Sequence, residues 1–404
     1  MPATLKRSLS LFHIVLYGMG TTIGAGIYAL VGEISGIAGY LAPASFLVAS
    51  LLASLTALSF AELSGRYPQA AGAALYTEKG FSSTYLALAI GLLVCMAGIV
   101  SSSALIHAFV GYLAVYIDIN ASALIIITTL LIGTLAIWGI AESVTVASMI
   151  TLVEIGGLLL IIFVSRHAYL TLPAHFTSMI PALNQQHLLA VSEGAILAFY
   201  AFIGFEDMVE VTEETKDASH TLPKAILMTI AITSLIYLLV MTAAILSMPP
   251  TELAKSKTPL SLIYEKHTGH TSSLLNIIGM VAVINGAIIQ MIMSSRVLYG
   301  LSHRGQLPKA LGVIHPRTHT PVIATIAVIA LILLLALTGK LVSLAEMTSM
   351  LVLVTYSVVN LSLWRIKKKH PRVDGIFYIP RIIPLLAFTV CIGFVMSQIS
   401  KLLL

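Results

Sequence analysis

The chain has 404 residues, of which 58% are hydrophobic and only 10% are Asp, Glu, Lys or Arg, and its mean hydropathy is +0.98. Soluble domains carry about 25% charged residues, so the composition excludes a water-soluble protein and predicts one membrane-embedded domain over 1–404. The net charge of +5 does not indicate nucleic acid binding, because the basic residues are scattered over short loops between apolar segments. The two cysteines lie in apolar runs, and no metal-ligand or nucleophile–base spacing is present. We therefore predict no cofactor, no metal site and no enzymatic activity.

Eleven membrane-length apolar segments follow one another along the chain. A spanning helix needs about 20 largely apolar residues, and such segments lie at 11–37, 41–64, 83–117, 122–139, 146–165, 189–211, 222–248, 272–301, 320–338, 342–364 and 382–403. The first is expected to be a retained helix rather than a signal peptide, because another span follows at once. Continuous apolar runs favour helices over a barrel. The sequence therefore predicts an all-α integral membrane protein with about eleven spans in contact with the lipid bilayer.

The basic residues give this bundle a direction. If the N-terminus is cytoplasmic, sixteen of the 22 Lys and Arg residues fall on the cytoplasmic side and six on the other. The positive-inside rule therefore predicts a cytoplasmic N-terminus and, with eleven spans, a C-terminus on the opposite side.

Glycine interrupts the first and sixth segments. The first contains Gly18, Gly20, Gly24 and Gly26, and the sixth contains Gly194 and Gly204. Glycine lowers helix propensity by about 1 kcal/mol relative to alanine, although close packing of helices through small residues is an alternative reading. The two segments hold matching places in two five-helix halves, 11–165 and 189–364, and 382–403 is one helix more. Interrupted segments at matching places favour a transporter binding site near the membrane midplane, so we expect both segments to be unwound.

An unwound stretch can bind both ends of a zwitterion. Its N–H groups suit a carboxylate and its free carbonyl groups suit an ammonium group. At the first break, Gly24, Ala25 and Gly26 are small enough to let a ligand approach the backbone. At the second break, the carbonyl groups are supplied by Tyr200, Ala201 and Ile203. Tyr200 is also predicted to act as an aromatic lid.

Four stretches of the chain form a series of motifs. They are Gly-Thr-Thr-Ile-Gly-Ala-Gly-Ile-Tyr at 20–28, Ala-Glu-Leu-Ser-Gly-Arg-Tyr-Pro-Gln-Ala-Ala-Gly-Ala-Ala-Leu-Tyr at 61–76, Phe-Tyr-Ala-Phe-Ile-Gly-Phe-Glu at 199–206 with Leu-Pro-Lys-Ala-Ile at 222–226, and Arg-Val-Leu-Tyr-Gly-Leu-Ser-His-Arg-Gly-Gln-Leu-Pro at 296–308. In order and in helix number they resemble motifs of the amino acid–polyamine–organocation permease family. The resemblance covers nearly the whole chain, but that family usually has twelve or more spans, and here one span follows the tenth.

The resemblance implies a leucine-transporter-like fold of two inverted five-helix repeats with one additional C-terminal helix. It also implies alternating access for a small-molecule substrate, an amino acid or related amine. By residue matching, the carbonyl groups that face the substrate amine are those of Thr22, Tyr200, Ala201 and Ile203. The N–H groups of Ala25 and Gly26 match those that face the carboxylate. Because these contacts use the backbone, they do not specify the substrate side chain.

Glu154 in the fifth segment has no other charge within ten residues on either side. An ionisable residue within a membrane span is a functional-site hypothesis by default. Proton-coupled members of the family have lysine at the matching position, so this carboxylate departs from their pattern. We expect Glu154 to load and release the coupling proton. A permanently protonated structural residue and a sodium ligand remain the alternatives.

Two further acidic residues follow the second glycine break. Glu206 and Tyr200 are gate candidates, and Glu206 is also a candidate for binding a cationic substrate. Asp207 is a weaker candidate, because it can lie at a helix end in water.

These features together predict a proton-coupled amino acid symporter in a bacterial-type inner (cell) membrane. An amino acid or amine exchanger without a coupling ion is the first alternative. A non-transporting sensor or a channel is the alternative from another class, but a channel requires a polar stripe or charged ring along a pore, and the sequence shows neither.

Overall fold

The computed structural model describes residues 7–70, 72–138, 144–271 and 273–403, and within these ranges it contains helices and no β-strand. The helices of the first half are α1 (Leu11–Ala38), α2 (Ala42–Arg66), α3 (Gly72–Phe81), α4 (Thr84–Leu113), α5 (Ala121–Trp138) and α6 (Val144–Val164). Those that follow are α7 (Leu172–Met179), α8 (Gln185–Tyr200), α9 (Ala218–Ser247), α10 (Pro250–Leu253), α11 (Pro259–Thr268), α12 (Ser273–His303), α13 (Val322–Thr338), α14 (Leu341–Lys369) and α15 (Ile382–Leu403). Short 3-10 helices cover Gly39–Leu41, Ala168–Thr171, Phe205–Glu214 and Lys309–Gly312.

The described helices confirm the all-α membrane architecture. Eight of them, or nine if one bent pair is a single span, are long and apolar enough to cross a membrane. This count joins α1 and α2 into one stretch of 56 residues and leaves out α13, which has 17. A straight helix of that joined length would extend about 84 Å, against a hydrocarbon core of about 30 Å. The 3-10 turn Gly39–Leu41 divides the stretch, so a helix lies at each of the eleven predicted segments.

Helices at four of the five matching places in the two predicted halves pack against each other. We call the end of the bundle at which α1 begins the proximal end, and the opposite end the distal end. The packed pairs are α1 with α8, α2 with α9, α4 with α12, and α5 with α13. Two five-helix repeats related by an axis in the membrane plane would make these antiparallel pairs.

The prediction that the first segment is unwound is wrong. α1 is one continuous helix of 28 residues. Three of its glycines instead form close contacts, at which an added Cβ would overlap the neighbour: Gly18 with Met208, Gly20 with Thr151, and Gly26 with Ala201. Small residues let membrane helices approach closely, and this packing offsets the low helix propensity of glycine.

The predicted break in the sixth span is confirmed. α8 ends at Tyr200, four turn residues follow, and a 3-10 helix begins at Phe205. Gly204 has φ 120° and ψ −20°, a conformation that side-chain-bearing residues rarely adopt. A Cβ on Gly204 would also overlap the carbonyl group of Thr21. This position therefore requires glycine.

A buried ion cluster fastens the C-terminal helix to the rest of the bundle at the proximal end. The Nζ atom of Lys367 lies 2.7 and 2.6 Å from the two carboxylate oxygens of Glu62, and it donates to the carbonyl of Ile379. Arg66 donates to the same carboxylate and to the carbonyl of His370. Because His370 and Ile379 belong to the segment between α14 and α15, the cluster joins α2 to both of these helices.

Candidate functional site

Tyr237 on α9 connects α1 to the break in the sixth span. Its hydroxyl oxygen lies 2.9 Å from the carbonyl oxygens of both Thr22 and Ala201. A phenol has one hydrogen to donate, so the two carbonyls share this donor. Both carbonyls are among those that the sequence assigned to the substrate amine. The structure brings them together around a single point that a cationic donor could also occupy.

One hydroxyl group on α1 satisfies a further carbonyl group of the break. Thr21 donates to the carbonyl of Gly204 at 2.9 Å and to that of Gly18 at 3.1 Å. Thr22 donates to the same Gly18 carbonyl at 2.7 Å. Buried carbonyl groups that lack helical partners require other donors. α1 therefore stabilises the irregular backbone of the sixth span.

A small cavity lies beside these groups. Its lining includes four of the predicted site residues, Thr22, Gly26, Tyr200 and Ile203. The cavity has about 20 Å³ open to water, room for about one water molecule. The described conformation is therefore closed around the candidate site and must widen to admit an amino acid.

Three polar residues of this site were not identified from the sequence. Ser101 on α4 has its hydroxyl 2.9 Å from that of Tyr200, Gln290 on α12 lines the cavity, and Tyr237 holds the two carbonyls. None of the three lies in a motif or beside a glycine break. The available signal was a polar residue inside an apolar segment, strengthened at Gln290 by Ser294, which is four residues away on the same helix face.

The backbone N–H groups assigned to the substrate carboxylate lie in a helical stretch. Gly24 and Ala25 belong to α1, and their side-chain surroundings lie outside the described part of the chain. In a continuous α-helix each N–H donates to the carbonyl four residues earlier, so the N–H of Gly26 is directed at the carbonyl of Thr22. These N–H groups become available to a carboxylate only when α1 opens at this level.

Glu154 is fully buried on α6 and does not line the cavity. Its backbone carbonyl accepts from the Tyr28 hydroxyl at 2.6 Å, and the Tyr28 carbonyl accepts from Tyr112 at 2.8 Å. Its carboxyl group lies close enough to Tyr28 and Tyr237 to interact with them electrostatically. Glu154 is therefore linked to the candidate site through Tyr237, which also contacts the carbonyl of Thr22.

Two further cavities continue from the site toward the proximal end. The inner one, of about 70 Å³, shares Ile203 and Gln290 with the site cavity. The outer one, of about 320 Å³, shares five lining residues with the inner one: Ala73, Val94, Glu210, Met293 and Val297. The shared residues form the necks between successive cavities. A row of spaces therefore leads from the candidate site to the proximal end.

Acidic residues of the broken span line this row. The Glu206 carboxylate accepts from the N–H of Gly204 at 2.9 Å and faces the inner cavity within interaction range of Tyr356. Asp207, in the first turn of the 3-10 helix, is half-buried and lines the same cavity with a buried Oδ2 atom. The 3-10 helix after the break turns both carboxylates toward the cavity.

Comparison with known proteins decides the family. The sequence profile of the amino acid permease family matches residues 9–401. The chain belongs to this family. The match confirms the resemblance indicated by the four motifs, and the all-helical bundle agrees with it.

Individual relatives in the family are distant. A branched-chain amino acid permease of Bacillus subtilis, BcaP, is 27% identical over 98% of this chain and 88% of its own length. An uncharacterized transporter of Mycobacterium tuberculosis is 28% identical over 90% of this chain and 81% of its own. The human cationic amino acid transporter 4 is 26% identical over 92% of this chain and 62% of its own. The names of these relatives refer to two classes of amino acid, branched-chain and cationic.

Proposed function

We propose that this permease moves amino acids across the membrane by alternating access as a proton-coupled symporter. The observation that carries the proposal is the convergence of the Thr22 and Ala201 carbonyls beside a closed cavity at a broken helix. Carbonyl oxygens that converge on one point are acceptors that suit the α-ammonium group that every amino acid carries. The substrate ammonium takes the place that the Tyr237 hydroxyl now shares between the two carbonyls.

Glu154 carries the proton in this proposal. A carboxylate that is buried without water is stable only when it is neutral or well paired. Gaining or losing its proton changes the field at Tyr237, and Tyr237 holds both substrate carbonyls. Proton binding at Glu154 is thereby coupled to the shape of the amine site without direct contact between proton and substrate.

The charge distribution supports a cytoplasmic position for the proximal end. By the order of the spans in the sequence, sixteen of the 22 Lys and Arg residues are assigned to the side on which the first span begins, as the positive-inside rule requires of a cytoplasmic face. In this orientation the row of cavities lies between the closed candidate site and the cytoplasm. We place the protein in a bacterial inner membrane, with its N-terminus in the cytoplasm.

Transport by the purified protein in proteoliposomes tests this proposal. We expect uptake of at least one of the twenty amino acids to rise several-fold under an inward proton gradient. Glu154→Gln cannot ionise, so it should abolish the dependence on the gradient while retaining exchange of internal for external substrate. Absence of uptake of any amino acid would contradict the transport proposal. Counterflow that does not depend on pH and is unchanged in Glu154→Gln would favour an exchanger without a coupling ion.

A further inference from the structure

The outer cavity at the proximal end has the size and the charges of a binding site. Its volume of about 320 Å³ falls in the range of small-molecule sites, about 300–1,000 Å³. One wall is the end of α12, which contributes Arg296, together with Arg304 directly after the helix, and another is the 3-10 helix after the break, which contributes Glu210. Small residues of the α2–α3 connection and of α3 leave the space between these walls open: Ala70, Ala73 and Ala74.

The two arginines of this cavity are available to a ligand. Arg296 is exposed, and within the described ranges its guanidinium has no acidic partner within 4 Å. Arg304 makes one long contact, 4.0 Å from a carboxylate oxygen of Glu78, and both of these side chains are more than 40% exposed. An exposed pair of this kind is weak, so Arg304 can exchange its partner for a bound anion.

The arrangement fits a zwitterion. A guanidinium presents a planar fork of donors that matches a carboxylate, and the Glu210 carboxylate on another wall can accept from an ammonium group. The cavity also shares Glu210, Met293 and Val297 with the inner cavity that leads to the candidate site. A substrate that travels along the row of cavities therefore enters a space lined by both kinds of charge.

We propose that the outer cavity is a second, weaker amino acid site, in which Arg296 binds the substrate carboxylate and Glu210 faces its ammonium group. This inference rests on the proposed function, because it places a further site on the same path. Its role is to raise the local concentration of substrate at the proximal neck, so it affects binding from that side alone.

Sided transport kinetics test the second site. The probe is whichever of the twenty amino acids the wild-type protein transports fastest, measured in vesicles of each orientation. Arg296→Gln should raise the apparent KM at the proximal face about threefold to tenfold, and leave Vmax and the KM at the distal face within twofold. Glu210→Gln should produce the same one-sided change, and Arg296→Lys should restore part of the affinity. Arg317→Gln is the charge-matched control, because Arg317 is exposed at the same end but does not line the cavity.

The outcomes separate this inference from the proposed function. A KM change of equal size at both faces, or an equal change in Arg317→Gln, would show a structural or general electrostatic effect and overturn the second site. If the wild-type protein transports an amino acid and Arg296→Gln transports it with the same kinetics, the proposed function is left intact and this inference alone is overturned. A wild-type protein that transports no amino acid would overturn the proposed function, and the second site with it.

Discussion

At the scale of single residues, the central feature is one hydroxyl group shared by two carbonyls. Tyr237 lies on α9, whereas Thr22 and Ala201 lie on α1 and at the break of the sixth span. Leaving a buried carbonyl without a donor costs about 1–3 kcal/mol. The hydroxyl therefore stabilises the closed site in the absence of substrate and fixes the direction in which both carbonyls point.

Removal of this hydroxyl should affect transport more than stability. Tyr237→Phe leaves both carbonyls without their shared donor, so we expect a fall of more than tenfold in uptake together with a lower Tm. Tyr169→Phe is the matched control, because the Tyr169 hydroxyl also donates to one backbone carbonyl, that of Leu239 on α9, away from the break. It should lose comparable stability and keep most of the uptake. Equal uptake by the two variants would contradict a special role for Tyr237.

The sequence predicted the residues of this site unevenly. Ala201 was proposed because it lies beside a glycine break, where the local pattern itself indicates available backbone, whereas Thr22 was matched only through the family resemblance. Tyr237 could not, since its contact with Thr22 spans 215 positions of the chain, and nothing in its apolar surroundings specifies which helix it faces. Gln290 was missed for the same reason.

At the scale of elements, the first and sixth segments both contain glycines but differ in their backbone structure. Propensity alone predicts that both are unwound, yet α1 is continuous and the sixth span is broken. Packing makes the difference: Gly18 and Gly26 let α1 approach the sixth span closely, whereas Gly204 adopts a non-helical backbone conformation between α8 and the following 3-10 helix. Sequence patterns report local propensity, but the gain from close contact with a distant helix depends on the fold.

Substitution of the break glycine should be severely destabilising. Gly204→Ala would impose a side chain at φ 120°, at a strain of about 1–3 kcal/mol, and its Cβ would push against the carbonyl of Thr21. We expect a Tm several degrees lower and loss of uptake. Gly156→Ala on α6 is the control, because an added Cβ there meets no atom within 4 Å. Gly156→Ala should leave Tm unchanged or slightly raised. A similar fall in the Tm of both variants would contradict a specific requirement for glycine at position 204.

The distal helix α11 should loosen in acid. The Nε2 atom of His267 lies 2.7 Å from the Ser247 hydroxyl at the end of α9. Burial, assisted by the nearby positive charge of Lys266, lowers the pKa of His267 below its ordinary value of 6.5. The folded protein therefore favours the neutral ring. This contribution to stability is complete above pH 6.5 and is lost as the pH falls below that value.

Thermal unfolding measured at two pH values checks this behaviour. The Tm of the wild type should fall between pH 7.5 and pH 5.5 by more than that of His267→Gln, which retains a hydrogen-bonding side chain but cannot titrate. His270→Gln, a change at an exposed position in the same distal region, should keep the wild-type pH dependence. If His267→Gln loses as much stability in acid as the wild type, another group is responsible.

At the scale of the whole molecule, the architecture was the most predictable property. Each span must cross about 30 Å of hydrocarbon, so hydropathy alone located a helix at each of the eleven segments. Whether the site is open or closed was not predictable, because a transporter that works by alternating access adopts several conformations with the same sequence. The structure shows a site closed to about 20 Å³, with a row of cavities toward the proximal end and narrow necks between them.

The neck at Ile203 is the place to test the central claim, that amino acids bind at the broken span and reach it from the proximal end. Ile203 lines both the site cavity and the inner cavity, and both native cysteines are buried, which keeps background reaction low. Ile203→Cys can therefore report on access to the site. Val313→Cys, at an exposed proximal position, serves as the control for reagent delivery.

The measurement is the rate at which a membrane-impermeant thiol reagent labels Ile203→Cys from each side, with and without a transported amino acid. We predict labelling from the proximal end that slows at least fivefold when the amino acid is present, while labelling of Val313→Cys is unaffected. Labelling that is insensitive to the amino acid, or that occurs from the distal end alone, would contradict the location of the site and its access route.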